Sequence, residues 1–196
     1  MFMEVKKTAF KLLAESVRFV LVGTTHPGNI GASARAMKTM GLSKLKLVAP
    51  KDFPNDIAFY RAKAAKDVLD QAEIHVDLFS ATKDCKLIIG TSARNRKVPW
   101  PVISPKEAGK EIVNALKRGT NDVAVVFGRE DRGLTNEELG MCNLHVHIPT
   151  NEEYSSLNLS QAVQILSYET RLAMLESADL LEKPEWDVEL ANNDQT

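Results

Sequence analysis

The sequence predicts an α/β fold built on a parallel sheet covered on both faces. Three observations point there. Short apolar runs alternate with longer amphipathic stretches along the chain. The runs, such as RFVLV at Arg18 to Val22 and VAVVF at Val123 to Phe127, are apolar nearly throughout, as in strands buried on both faces. Polar loops holding Gly or Ser follow these runs: GTTHPGNIG after Val22, GTSARNRK after Ile89, GREDRGL after Phe127 and PTNEEYSSLN after Ile148. Open parallel sheets bind ligands in that place, beyond the carboxyl ends of their strands.

Each element has its own signal. Arg18 to Val22 reads as a buried strand. Asn29 to Gly41 reads as a helix, because Ile30, Ala34, Met37 and Gly41 recur at helical spacing. Leu45 to Val48 is a second strand, stopped by Pro50. Asp56 to Gln71, rich in Ala and Lys, reads as one helix. Ile74 to Val76 is a short strand and Leu87 to Gly90 a clear one. Pro105 to Leu116 is a helix, with Ser104 as N-cap and proline at the first helical position. Val123 to Phe127 is the most apolar strand. Thr135 and Glu138 form a capping box that opens a short helix. Leu144 to Ile148 is a further strand, ended by Pro149. Leu159 to Leu175 is the last long helix, capped by Asn158 with Gln161 three residues on. The first dozen residues and those past about Glu182 read as poorly ordered ends.

Composition limits the class. The 196 residues are 44% hydrophobic and 26% charged, which excludes global disorder, collagen and coiled coil. The length suits one domain, residues 17–176, between an N-terminal extension (1–16) and an acidic tail (177–196). No apolar run reaches the roughly 18 residues of a membrane span. Lys6, Lys7 and Lys11 interrupt the N-terminus, so it lacks the apolar core of a signal peptide. Cys85 and Cys142 make no disulfide framework, and a reducing cytoplasm is the natural compartment. The net charge of -1 hides an asymmetry: residues 176–196 carry seven acids and one base, leaving the rest with a surplus of five positive charges. A mildly basic body is compatible with a polyanionic partner.

Neither GxGxxG nor GxxxxGK[ST] occurs, which disfavours a Rossmann dehydrogenase or a P-loop NTPase. In Asn29-x-Gly31-x-x-x-Arg35, Gly31 and Arg35 share a helix face. The glycine either leaves room for a ligand beside the arginine or serves tight helix packing with Arg35 in solvent. Gly128, in the loop Gly128 to Gly133, either brings backbone groups to a small molecule or belongs to a charged turn. Ser155 to Asn158 either meets polar ligand atoms at a helix start or simply caps that helix. Arg94, Arg96 and Lys97, with Trp100 close by, suit a single-stranded RNA loop. Trp100 equally suits a buried site or a subunit interface. His145 and His147 alternate on one strand face, but no third ligand stands at metal spacing. His26 suits a turn.

Taken together, HPGNIGASARAMKTMGL, GTSARNRKVPWP, VFGREDRGLTNEEL and IPTNEEYSSLNLSQAVQILSYE resemble the SPOUT superfamily of methyltransferases. Within it they resemble the TrmH-like RNA 2'-O-methyltransferases, and most of all the TrmJ branch, from about Arg18 to Leu175. The resemblance implies a C-terminal trefoil knot in the α/β fold, a homodimer, no metal, and S-adenosylmethionine as methyl donor. Carried over by position, Thr91, Ser92, Ala93, Gly128, Ile148, Ser156, Leu157 and Asn158 would hold this cofactor. Arg35 matches the arginine of the methyl-acceptor site, with Asn29 and Glu130 in support, Glu130 holding an arginine in place. The reaction implied is in-line attack of a ribose 2'-hydroxyl on the sulfonium methyl. Arg35 would act as general base, or would orient the ribose and stabilise the alkoxide, since a guanidinium stays protonated in proteins. The TrmJ-like branch methylates tRNA at the C or U that opens the anticodon loop. Arg94, Arg96, Lys97 and Lys38 would contact its phosphates. The alternatives are ribosomal RNA as acceptor, or a non-catalytic RNA-binding module. Two features depart from the branch: the residues ahead of the first strand, and an acidic tail where many members continue into a helical extension that helps hold tRNA.

Overall fold

In the computed structural model, which describes residues 2–92, 101–120 and 122–180, seven strands form one sheet. They are β1 (Val17–Val22), β2 (Lys44–Val48), β3 (Glu73–His75), β4 (Leu87–Thr91), β5 (Val102–Ile103), β6 (Val123–Phe127) and β7 (Leu144–Val146). The order across the sheet is β3-β2-β1-β6-β4-β7-β5, and every neighbouring pair runs parallel. The predicted parallel sheet is present. Among the described helices are α1 (Phe2–Glu15), α2 (Pro27–Thr39), α3 (Asp56–Ala62), α4 (Lys66–Asp70), α5 (Leu78–Thr82), α6 (Pro105–Lys117), α7 (Asn136–Gly140) and α8 (Leu159–Ser177). None is long and apolar enough to cross a membrane.

β6 explains why the sheet is apolar on both sides. Val123, Val125 and Phe127 join a core with residues of α2, α6 and α8, whereas Ala124 and Val126 join a second core with Leu78, Ala81, Leu134 and Leu139. Alternate side chains thus meet different helix layers, and neither face is left for water. Phe127 stacks on Phe19 of β1 with ring centroids 5.6 Å apart. Burying a ring of this size contributes about 1.5–3 kcal/mol.

Three expectations change. The first dozen residues are helical rather than loose: Ala14 is buried, and Phe10 and Leu13 pack against the core. Those three positions have helical spacing, and the intervening Lys11 faces water. The stretch expected as a single helix from Asp56 to Gln71 is broken. Lys63 takes a positive φ of 54°, and a 3-10 turn over Lys63–Ala65 separates α3 from α4. The break lets Ala58 and Ala62 pack on α2 while Val68 and Leu69 turn toward the core. Lys38 of α2 donates to the Ala64 carbonyl at 2.9 Å, satisfying an acceptor that the break frees. The last strand ends at Val146, two residues short of Ile148, and α5 and β5 are additions.

Candidate active site

Three loops at the carboxyl ends of β4, β6 and β7 wall a cavity of about 370 Å³. Thr91 and Ser92 close β4. The loop Gly128 to Leu134 follows β6. Ile148, Thr150 and Ser155 to Leu157 lie between β7 and α8, whose first turns add Leu159 and Ala162. Polar side chains and apolar ones both contribute to the wall.

The loop after β6 doubles back sharply. Arg129 and Gly133 exchange backbone hydrogen bonds of 3.2 and 2.9 Å. A Cβ at Gly128 would overlap the Gly133 carbonyl carbon and the Leu134 nitrogen, so only glycine permits this closure. Gly128 therefore serves its own loop as well as lining the cavity. Arg129 leaves the loop toward α7 and meets Glu138 through two parallel bonds of 2.9 and 3.0 Å. Glu138 also accepts from the Thr135 amide at 2.8 Å, completing the predicted capping box. Burial opposes its ionisation, but the Arg129 guanidinium and the Thr135 amide outweigh burial and hold the carboxyl below its ordinary value.

Glu130 points the other way. Its carboxylate accepts from the Thr25 amide and hydroxyl at 3.0 Å each, from the His26 amide at 3.2 Å and from Asn29 Nδ2 at 3.0 Å. These donors lie at the start of α2, whose N-cap residue, His26, makes no side-chain cap of its own. A carboxylate from another loop thus caps the helix, where the macrodipole favours negative charge. Burial raises the Glu130 pKa, and the bonds from Asn29, Thr25 and His26 overcome it, leaving the group below its ordinary value. The expectation that Glu130 holds an arginine is corrected: Glu138 holds one, and Glu130 holds the turn before α2.

Asn29 extends the chain of bonds. Its Oδ1 accepts from Asn158 Nδ2 at 3.1 Å, and Asn158 Oδ1 accepts from the Ser160 amide at 2.9 Å. Asn158 is the expected N-cap of α8 and also the link to α2. It follows Leu157, a wall residue, without lining the cavity itself.

Of the residues expected to hold a cofactor, Thr91, Ser92, Gly128, Ile148, Ser156 and Leu157 line the cavity. Ala93 lies outside the described residues, as do Arg94, Arg96, Lys97 and Trp100. Lys38 is already paired with Asp67 at 2.7 Å. Gly31 makes no room for a ligand: a Cβ there would overlap the Ala58 carbonyl oxygen, so the glycine serves the contact of α2 with α3. Arg35 is exposed on α2, outside the cavity wall, with no side-chain partner among the described residues. Leu134, Val146, Leu159 and Ala162 complete the apolar part of the wall and were missed. Their signal was position alone: Val146 at a strand end, Leu159 and Ala162 in the first turn of a helix, and Leu134 at the far end of the loop after β6. His147 Nδ1 stands 3.3 Å from the Ser92 carbonyl, tying two walls, and buried His145 contacts the Leu139 carbonyl through Nε2 at 3.1 Å. Among the described residues no group of three or more His, Cys, Asp or Glu could hold a metal ion.

The sequence profile of the SpoU rRNA Methylase family matches residues 16–168. A tRNA (cytidine/uridine/adenosine-2'-O-)-methyltransferase TrmJ of Pseudomonas aeruginosa is 51% identical over 163 residues, covering 83% of this chain and 63% of that protein. A tRNA (cytidine/uridine-2'-O-)-methyltransferase TrmJ of Photorhabdus laumondii is 48% identical over 177 residues, covering 90% of this chain and 73% of its own length. The chain thus spans about two thirds of the length of these curated relatives. Among solved structures, a probable methylase family protein from Haemophilus influenzae superposes with a TM-score of 0.80 at 44% identity, over 87% of this chain and 71% of that one. The family profile takes in β1, the two cavity loops after β4 and β6, and the start of α8: this chain belongs to the SpoU rRNA methylase family.

Proposed function

We propose that this protein is an S-adenosylmethionine-dependent RNA ribose 2'-O-methyltransferase, acting on tRNA at the pyrimidine that opens the anticodon loop. One observation carries the reading. The chain Asn158–Asn29–Glu130 joins the loops around the cavity to α2, the helix that bears Arg35. Each chain would then hold its own donor pocket and the cation it offers to a second copy in one hydrogen-bonded frame. The names of the Pseudomonas and Photorhabdus relatives support tRNA as substrate.

The residues present fit the cofactor. A cavity of about 370 Å³ lies within the usual range for small-ligand sites, roughly 300–1,000 Å³. Leu134, Ile148, Leu157 and Leu159 offer an apolar slot for adenine, and Ser156 offers a hydroxyl to its polar parts; Thr91 also lines the wall, its hydroxyl donated to the Val126 carbonyl at 3.0 Å. When bound, S-adenosylmethionine supplies a methyl group on a positively charged sulfur. Asn158 fixes the start of α8, and Glu130 fixes the start of α2. Arg35 orients the ribose and its neighbouring phosphate and stabilises the alkoxide developing on the 2'-oxygen. The hydroxyl proton passes to a phosphate oxygen or to water, because a guanidinium does not take up protons. Arg94, Arg96 and Lys97 contact further phosphates, and Lys38 joins them only by leaving Asp67.

The same proposal includes a trefoil knot and a homodimer in the cytoplasm. In support of the knot, β7 lies between β4 and β5, two strands consecutive in sequence. In support of the dimer, Arg35 does not line its own chain's cavity, and a second copy offers it one.

The test is transfer of labelled methyl from S-adenosylmethionine to unmodified tRNA and, separately, to unmodified ribosomal RNA. Nuclease digestion and mass spectrometry then identify the nucleoside. A 2'-O-methylated pyrimidine in tRNA that is lost in Arg35→Ala is the expected result. Methylation of ribosomal RNA alone would replace the substrate. No transfer to either RNA, with S-adenosylhomocysteine still bound, would leave a non-catalytic module.

A further inference from the structure

α3 presents an exposed aromatic side chain beside the helix that carries Arg35. Tyr60, 68% exposed, lies on the side of α3 away from Ala58 and Ala62, which are buried against α2, and Ile57, 54% exposed, lies at the edge of that contact. The α2 positions that meet this segment are Gly28, next to Ile57 and Arg61; Gly31, against Ala58; and Lys38, bonded to the Ala64 carbonyl. Arg35 falls on the same stripe of α2, between Gly31 and Lys38. It therefore lies at the level of Arg61 to Ala64. Lys63, set by its positive φ at the end of α3, places Nζ 3.8 Å from the centroid of the Tyr60 ring. Neither Arg61 nor Lys63 forms an ion pair among the described residues. The nearby acids are Asp52, bonded to Asn55; Asp67, paired with Lys38; and Asp56 and Asp70, exposed on α3 and α4. An exposed ring with one cation over a face and a second, Arg61, next to it in sequence suits unpaired bases better than a protein surface, because bases stack on aromatic faces while their phosphates need cations.

Resting on the RNA-methylating reading above, we propose that Tyr60 stacks on a base of the RNA substrate next to the target nucleotide, with Arg61 and Lys63 on the flanking phosphates. Lys63 covers one face of the ring and leaves the other to the base. The nucleotide is then held between α3 and the Arg35 side of α2, which gives this surface a part in choosing the sequence around the modified position.

The experiment measures binding of an unmodified anticodon stem-loop RNA to the full chain at several salt concentrations, for wild type, Tyr60→Ala, Tyr60→Phe, Arg61→Ala and Lys63→Ala. Binding of S-adenosylhomocysteine and solution size are followed in parallel. Tyr60→Ala is expected to weaken RNA binding roughly 5- to 150-fold, the range for loss of one base–aromatic stack. Tyr60→Phe should keep it. Arg61→Ala and Lys63→Ala should each make the log–log salt dependence shallower by about 0.7, one phosphate contact on a single strand. S-adenosylhomocysteine affinity should stay within about twofold in all four. Equal RNA binding by wild type and Tyr60→Ala overturns the stacking role and leaves the methyltransferase reading intact. A Tyr60→Ala protein that changes oligomeric size makes the patch a subunit contact and overturns it too. If wild type binds no RNA while still binding S-adenosylhomocysteine, both this role and the RNA substrate fall.

Discussion

Asn29 Oδ1 and Asn158 Nδ2 stand 3.1 Å apart although 129 positions separate them in sequence. The bond fixes both amides. Asn29 has its nitrogen on Glu130 and its oxygen toward Asn158, and Asn158 has its oxygen on the Ser160 amide. Neither amide can flip without placing like groups against each other. Asn29→Asp would replace the donor to Glu130 with a second carboxylate. It is expected to cost about 1–3 kcal/mol and to lower methyl transfer at least about tenfold. Thermal unfolding and single-turnover rates check this. Asn158→Asp keeps the acceptor for Ser160 but loses the donor to Asn29, so a milder loss is expected.

The Glu130 carboxyl lies below its ordinary value in the folded chain, so its contribution to stability has a defined sign with pH. A lowered folded value means that the contribution is complete above the unfolded carboxylate value, about 4.3, and fades as pH falls through the folded one. Glu130→Gln should therefore be less stable than wild type near neutrality. The gap between their melting temperatures should narrow as pH is taken from about 6 toward 3. A constant gap over that range would place the stabilisation outside the carboxylate.

Two glycines near the site should respond oppositely to alanine. At Gly128 the new methyl would overlap backbone of Gly133 and Leu134, so the loop must open and the cavity wall with it. Gly128→Ala is expected to lose at least about tenfold in S-adenosylhomocysteine affinity, or about 1.4 kcal/mol, by calorimetry. At Gly140, the last residue of α7, nothing stands within 4 Å of the added methyl. Gly140→Ala should stabilise by about 0.4–1 kcal/mol and leave ligand affinity alone.

The two cysteines should be inert while the chain is folded. Burial pushes the Cys142 thiol up to about 12, with the Glu138 carboxylate adding to the effect. Burial also raises Cys85, against the opposing hydrogen bond from Arg18. A thiolate-selective reagent near pH 8 should react with neither thiol at appreciable rate until denaturant is added, when two equivalents should appear.

Legibility from sequence followed the range of the interactions. β6 was bounded to the residue, because a strand buried on both faces leaves an unbroken apolar run. The caps at Ser104, Thr135 and Asn158 were legible because their partners lie two to three residues away. The break at Lys63 was not, since Ala and Lys favour continuous helix and only packing on α2 and the core demands the turn. Gly31 was ambiguous for a related reason: a glycine on a helix face looks the same whether a ligand or a neighbouring backbone fills the space. The partners of Glu130 lie more than a hundred positions away, and no local pattern carries that contact. α1 went unrecognised because lysines interrupt its apolar positions, which keep no single clear face along the segment.

The place of β6 in the sheet has a consequence during synthesis. β1, β2 and β3 arise in succession and pair in that order, but the other edge of β1 waits for β6, whose Val123 pairs with Val17. Roughly 100 residues separate the two strands, which at about 5–20 residues per second leaves that edge open for about 5–20 s. An apolar strand with unpaired backbone is a template for joining another chain. Chains ending before Val123 should therefore precipitate, while chains that carry β6 and β7 stay in solution. The growing protein thus depends on whatever shields β1 from its neighbours until its own middle strand arrives.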